Sequence, residues 1–244
     1  MQQCVPGTGQ VPGTAIAVRG VARGAPCRRV TILPSMADSI ERLAERARTC
    51  RACPLWAHAT QTVFGAGDVH AKVMLVGEQP GDEEDVRGLP FVGPAGRLLD
   101  RALHAAGIDR RNVYVTNAVK HFKWEPRGKR RLHKTPAQRE IDACRQWLER
   151  EIEAVHPQVI VCLGATAAQA LLGPGFRVST MRGRFIDSPR APFVFATLHP
   201  SALLRLRDET ERREAFARFV EDLTLVHQAL KAEPAAESAR SAPR

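Results

Sequence analysis

Four short apolar runs alternate with stretches of helical spacing, and this alternation constrains the fold more than any other feature of the chain. Val73–Val76, Val113–Val115, Val159–Leu163 and Phe193–Phe195 have strand length and β-branched or aromatic content. Ala95–Ala106, Pro136–Val155, Ala165–Leu172 and a last segment from about Asp208 to Leu230 place apolar residues at helical spacing. Thr135 and Pro136 suit an N-cap and first helical position, and Gly107 and Gly173 stand where helices should stop. Strands joined through helices run parallel, and strands this apolar are covered on both faces. The expected fold is α/β: a three-layer α/β/α sandwich with a central four-stranded parallel sheet.

A chain of 244 residues with 44% hydrophobic composition can build a real core, which is expected within residues 37–230. Residues 1–36 carry no acidic residue, have Arg19, Arg23, Arg28 and Arg29, and show no defensible period, so they read as a disordered basic arm. The amphipathic segment that begins after Met36 makes that methionine a candidate natural start. Residues 231–244, rich in Ala, Pro and Ser, read as a disordered tail. No apolar run is long enough to span a membrane. A net charge of +10 and a pI near 10.0 favour a polyanionic partner. Six cysteines in a long chain with no credible leader point to a reducing cytoplasm rather than to a disulfide scaffold.

In open parallel sheets, ligands bind at the carboxyl ends of the strands. The residues that follow the four runs are Gly77–Asp82, Thr116–His121, Gly164–Thr166 and Leu198–Ser201. Gly, Pro, Asn and Ser are common strand-to-helix turn residues, so one such cluster alone says little. Several converging on one rim say more.

Gly77-Glu-Gln-Pro-Gly81, Leu89-Pro-Phe-Val-Gly-Pro-Ala-Gly96, Val115-Thr-Asn-Ala-Val-Lys120 and His199-Pro-Ser201, in that order, resemble the signatures of the iron-sulfur uracil-DNA glycosylases of family 4. The resemblance covers roughly residues 40 to 228. It is closer still to the X-type branch (UdgX), which carries an inserted basic loop, here Gly128-Lys-Arg-Arg-Leu-His-Lys134. Gln79 stands where ordinary family-4 enzymes usually have a small residue, and His121 where they usually have a cluster-ligating cysteine.

The resemblance implies uracil-DNA glycosylase activity with covalent capture of the product. Such an enzyme draws the base out of the stack and reads its Watson–Crick edge in a closed pocket. Asn117 can donate to uracil O4 and accept from N3–H, and Phe91 can stack on the ring. Gly77, Gln79 and Asp82 complete the expected uracil-binding set. Bond cleavage leaves negative charge on uracil and positive charge on the sugar, which calls for donors at the base and a carboxylate near C1′. His199 is the expected donor to O2, and Glu78 the group near the sugar. By resemblance, His133 attacks C1′ once uracil has left. Nucleophilic attack needs a neutral imidazole, which the neighbouring Lys129, Arg130, Arg131 and Lys134 should favour.

Cys50-Arg-Ala-Cys53 taken alone is compatible with a redox pair, half a zinc site or half an iron-sulfur site. The resemblance implies a structural [4Fe-4S] cluster on Cys50, Cys53, His121 and Cys144, although the same donors could bind zinc. Cys162 is the rival fourth ligand but, inside an apolar run, reads as a core thiol, and Cys4 and Cys27 are unassigned. DNA binding is expected from Lys129, Arg130, Arg131 and Lys134, helped by Lys120, Lys123, Arg205 and Arg207, with Arg131 holding either its loop or a phosphate. The expected partner is uracil-containing DNA, single strands included, met by a monomer. Two other readings stand behind this one: a turnover glycosylase in which water attacks, and a non-catalytic metal-stabilised module that binds nucleic acid.

Overall fold

The computed structural model describes residues 39 to 240, with side chains through 232. In chain order it forms α1 (Ile40–Arg48), β1 (Ala66–Gly67), β2 (Val73–Gly77), α2 (Asp82–Arg87), α3 (Pro94–Ala105), β3 (Val113–Asn117), β4 (Trp124–Arg127), β5 (Arg130–His133), α4 (Gln138–Val155), β6 (Val159–Leu163), α5 (Ala165–Leu172), α6 (Val178–Met181), β7 (Phe185–Ile186), β8 (Phe193–Thr197), α7 (Pro200–Leu204) and α8 (Glu209–Arg240). The expected basic arm and Met36 lie outside the described residues.

The main sheet has the order β1-β3-β2-β6-β8-β7. Its centre is the expected parallel set β3, β2, β6 and β8. To this four-stranded parallel centre β1 and β7 add antiparallel edges, which bring the whole sheet to six strands. Each edge is two residues long, too short to leave a pattern in the sequence.

Strand alternation divides the core in two. Met74, Val76, Tyr114, Ile160 and Cys162 face a layer that includes Leu43 of α1 and Trp147, Leu148 and Ile152 of α4. Val73, Leu75, Val113, Val115, Val159 and Val161 face Leu99 and Leu103 of α3, Leu203 of α7 and Phe219 and Leu223 of α8. Both faces are dry, which is why the strands read as continuous apolar runs rather than as alternating ones. Burial at roughly 25 cal/mol per Å² on both sides makes this sheet the rigid mount for the loops at its carboxyl edge.

The basic insertion is a β-hairpin rather than a loop, with β4 and β5 paired from Trp124↔His133 to Arg127↔Arg130. Gly128 at the turn takes φ +59°, a left-handed conformation that glycine adopts without strain. At the other end, α8 continues to Arg240, beyond the expected stop at Leu230. The segment read as a tail has four alanines and two glutamates between residues 231 and 240, good helix formers that continue the helix despite Pro234, and no glycine to end it.

Candidate active site

The order of the sheet puts a switch point between β2 and β6: the chain leaves β2 for β3 on one side and returns to β6 on the other. Glu78 follows β2, Thr166 opens α5 after β6, and the Thr166 hydroxyl donates to Glu78 Oε2 across the gap. On the other side, the register pairs Gly77 with Asn117. Ala118 N–H donates to Gly77 O and Val119 N–H to Glu78 O, so the loops that follow β2 and β3 leave the sheet side by side.

Two adjoining cavities open here. One, of about 190 Å³, is lined by Gln79, Gly81, Glu84, Phe91, Asn117, His133, His199 and Arg205 among others. The other, of about 320 Å³, continues past Glu78 and His133 to Thr166, Ser179 and Ser201. Gly77 is required by close approach: a Cβ there would lie 2.3 Å from Asn117 Oδ1 and 2.7 Å from Phe91 Cζ. Phe91 is itself held at φ 57°, a left-handed conformation that costs a non-glycine residue energy and that tends to cluster at functional sites. Its ring centroid lies 6.1 Å from that of His199.

His199 is the N-cap of α7, and its Nδ1 accepts from Ser201 N–H at 3.1 Å. A ring nitrogen that accepts cannot carry the proton, so neutral His199 has its hydrogen on Nε2. Burial, with smaller contributions from His133 and Arg205, pushes its pKa down to about 4. His133, at the end of β5, places Nε2 3.4 Å from Glu78 Oε1. Its pKa is also lowered, mainly by burial, against the pull of Glu78 and with help from Arg205. The like charge that matters thus comes from α7, not from the lysines and arginines adjacent in sequence.

Several expected site residues also brace the scaffold. Gln79 Nε2 donates to Lys123 O and Lys134 O, and its Oε1 accepts from Lys123 N–H, so its amide grips the chain where it enters and leaves the hairpin. Asp82 does not line the cavity; it pairs with Arg131 Nε at 2.5 Å. Arg131 Nη1 also meets buried Asp85 at 2.5 Å, and its guanidinium lies over Phe122 and Trp124. Arg131 therefore pins the hairpin to α2 rather than offering a free charge to DNA. Lys120 is 1% exposed and bonds Glu151, Thr116 Oγ1 and Asn117 O, which removes it from any DNA face. Lys123 pairs with buried Glu140, and Lys134 with Glu125. Lys129 and Arg130 stand exposed at the hairpin tip, and Arg205 and Arg207 stand exposed at the end of α7. The clamps made by Gln79, Lys120 and Arg131 join groups up to 71 residues apart in sequence, and no local spacing announces them.

Cys50 and Cys53 pack against the core cluster that contains Cys144. Cys50 Sγ accepts from Trp147 Nε1–H and Cys144 Sγ from Lys120 N–H, both at 3.3 Å. Burial pushes the Cys144 thiol up to about 11 and raises that of Cys53. Thr62 Oγ1 donates to Ala47 O, so at 3.0 Å from His121 Nε2 it must accept, and that nitrogen carries the ring proton. His121 Nδ1 is left buried with a bare lone pair and no hydrogen-bond partner. Donors of this kind, with thiols that need a cationic partner to ionise, fit a metal group. Among the described residues no three His, Cys, Asp or Glu side chains gather as a site for one metal ion. Cys162, in β6, is fully buried in the core with its thiol pushed up to about 12.

The uracil DNA glycosylase superfamily model matches residues 64–224. A type-4 uracil-DNA glycosylase of Thermotoga maritima is 41% identical over 177 residues, covering 72% of this chain and 88% of the relative. One from Archaeoglobus fulgidus is 36% identical over 71% of this chain and 89% of its own length. A type-5 uracil-DNA glycosylase of Pyrobaculum aerophilum is 30% identical over 61% of this chain. Among the described residues no helix is long and apolar enough to cross a membrane.

Proposed function

The chain belongs to the uracil-DNA glycosylase superfamily, and from that premise we propose that it excises uracil from DNA as a monomer and captures the abasic product covalently through His133. The observation that carries the covalent step is the placement of His133 Nε2 3.4 Å from Glu78 Oε1, at the mouth of the cavity that Asn117, Phe91 and His199 line.

In this reading uracil enters beside Phe91, and the Asn117 amide pairs with its O4 and N3–H, a combination that cytosine cannot match. As the C1′–N1 bond breaks, its electron pair leaves on uracil. His199 donates Nε2–H to O2, and because this imidazole is neutral near pH 7, the developing anion is held by a hydrogen bond rather than by a free proton. The positive charge left on the sugar faces Glu78. The lone pair of His133 Nε2 then closes on C1′, with the ring proton on Nδ1, and the charge passes to the alkylated imidazole beside the carboxylate.

Cys50, Cys53, His121 and Cys144 would hold a [4Fe-4S] cluster, which supplies structural cross-linking when bound. The chain from Asn117 to His121 joins the base-reading amide to that ligand set, so order at one end favours order at the other. Lys129, Arg130, Arg205 and Arg207 would meet DNA phosphates, with affinity falling as salt rises. The test is to incubate the protein with a labelled uracil-containing single strand, denature fully and resolve the products. A denaturation-resistant protein–DNA band that His133→Ala abolishes is expected. Free abasic product without such a band would identify a turnover glycosylase, and absence of excision would leave a binding module.

A further inference from the structure

We propose that Thr166 is a positioning residue that sets the orientation of Glu78 and so aims one carboxylate oxygen at His133. This deepens the covalent reading and rests on it for the identity of the nucleophile. Three observations converge. The Thr166 hydroxyl donates to Glu78 Oε2. The other oxygen, Oε1, is the one that meets His133 Nε2. Both Glu78 and Thr166 line the larger cavity, so the bond between them forms a wall of the site rather than part of the core.

The need for such a group follows from where Glu78 sits. Its residue follows β2 in a loop, and its side chain is 22% exposed beside a cavity, so packing alone does not hold its rotamer. A carboxylate free to rotate would present either oxygen, or a bridging water, to the sugar. Thr166 lies at the second position of α5, across the switch point, and its backbone is fixed by the helix. A hydroxyl there is a rigid donor that occupies Oε2 and leaves only Oε1 for the histidine and the sugar cation. A half-buried hydrogen bond to a charged group is strong enough that its loss commonly changes a rate by about 10-fold.

Thr166→Val keeps the shape and removes the donor, and Thr166→Ser keeps the donor. Single-turnover excision of uracil and formation of the denaturation-resistant adduct are followed from about pH 4 to 9 in wild type, T166V, T166S, E78Q and E78Q/T166V. Adduct formation in T166V is expected to slow by about 10-fold, with T166S restoring most of it. Because the Glu78 carboxylate raises the His133 pKa, a carboxylate that swings away should move the acid limb of the adduct profile to lower pH in T166V. Added to E78Q, which has already lost the charge, T166V should cost little more. Multiplicative effects of E78Q and T166V, a T166S as slow as T166V, or an unmoved acid limb would each overturn the assignment. If wild type forms no adduct, the covalent reading fails; the Glu78–Thr166 coupling is then judged on excision rates by the same cycle, and independence of the two sites there overturns it.

Discussion

Replacing Arg131 by Met should release the hairpin that carries His133, and the cost can be worked from the contacts. The Asp82 pair is half exposed and contributes about 0–1 kcal/mol. Asp85 is fully buried, and orphaning a buried charge commonly costs about 3–5 kcal/mol. Here the carboxylate keeps bonds from Thr60 N–H to both oxygens and from the Thr60 hydroxyl, which brings the figure to about 2–3 kcal/mol. Loss of the stacking on Phe122 and Trp124 adds about 1 kcal/mol, part of which the Met side chain recovers. The sum, about 3 kcal/mol, falls on an edge element and not on the sheet. Amide exchange in β4 and β5 should therefore quicken by about 100-fold or more, while the sheet amides hardly change. Adduct formation should slow with it, since His133 spends less time beside Glu78. Asp85→Asn removes the charge that R131M orphans, so the double variant should be less damaged than the two single effects combined, by about 2 kcal/mol. Simple additivity, measured by exchange and by adduct rate, would refute the clamp.

Other outcomes follow from the same geometry. Gly77→Ala should abolish excision with little change in melting, because its Cβ would intrude on Asn117 Oδ1 and Phe91 in the pocket and not on the core. A K129A/R130A variant should bind single-stranded DNA with a log affinity–log salt slope shallower by about 0.7 per charge removed, which fluorescence anisotropy would measure. Excision should persist as pH falls below 6.5 and fade as it passes through about 4, where His199 gains a proton. The sign for stability is the same: a histidine with a lowered folded-state pKa favours the native state fully above its ordinary value of 6.5 and loses that contribution as pH falls toward 4. Urea titrations across that range of pH would show it. His121→Ala should lower iron content and visible-range absorbance in purified protein; full colour and iron in that variant would remove His121 from the ligand set.

The parallel core was legible because both faces of β2, β3, β6 and β8 are dry, so Val73–Val76 and its partners stand out against the polar segments around them. The hairpin was not legible, because Trp124-Glu-Pro-Arg127 and Arg130-Arg-Leu-His133 are mostly exposed and carry no alternation of apolar and polar residues. Its basic content suggested a solvated DNA-gripping loop, yet only the tip is free to act as one. Lys120 shows the same limit. A lysine after a strand reads as surface charge until Glu151, which lies on α4 and is 31 residues away, takes its ammonium out of solvent. The candidate site residues Glu78, Asn117 and His199 could be named because the ends of parallel strands are where such sheets bind ligands and because their motifs resemble a known set. The partners that aim them, such as Thr166 and Ser201, looked like ordinary turn and helix-start residues.

These partners bear on how His133, the proposed nucleophile, can sit on an edge element and still be aimed. Gln79 ties the hairpin to the loop after β2, Arg131 to α2, Lys123 to Glu140 on α4, and Trp124 Nε1–H to His58 O. Four attachments to different parts of the chain hold the hairpin, while the His133 side chain remains 43% exposed. Attack on C1′ needs both properties, because the imidazole must be reachable by a DNA strand yet already directed at the point that Glu78 faces. A flexible basic loop would meet the first requirement and fail the second, leaving the sugar cation to water. In this reading, the balance between capture and release is set as much by the buried amide of Gln79 and the guanidinium of Arg131 as by the histidine that forms the bond.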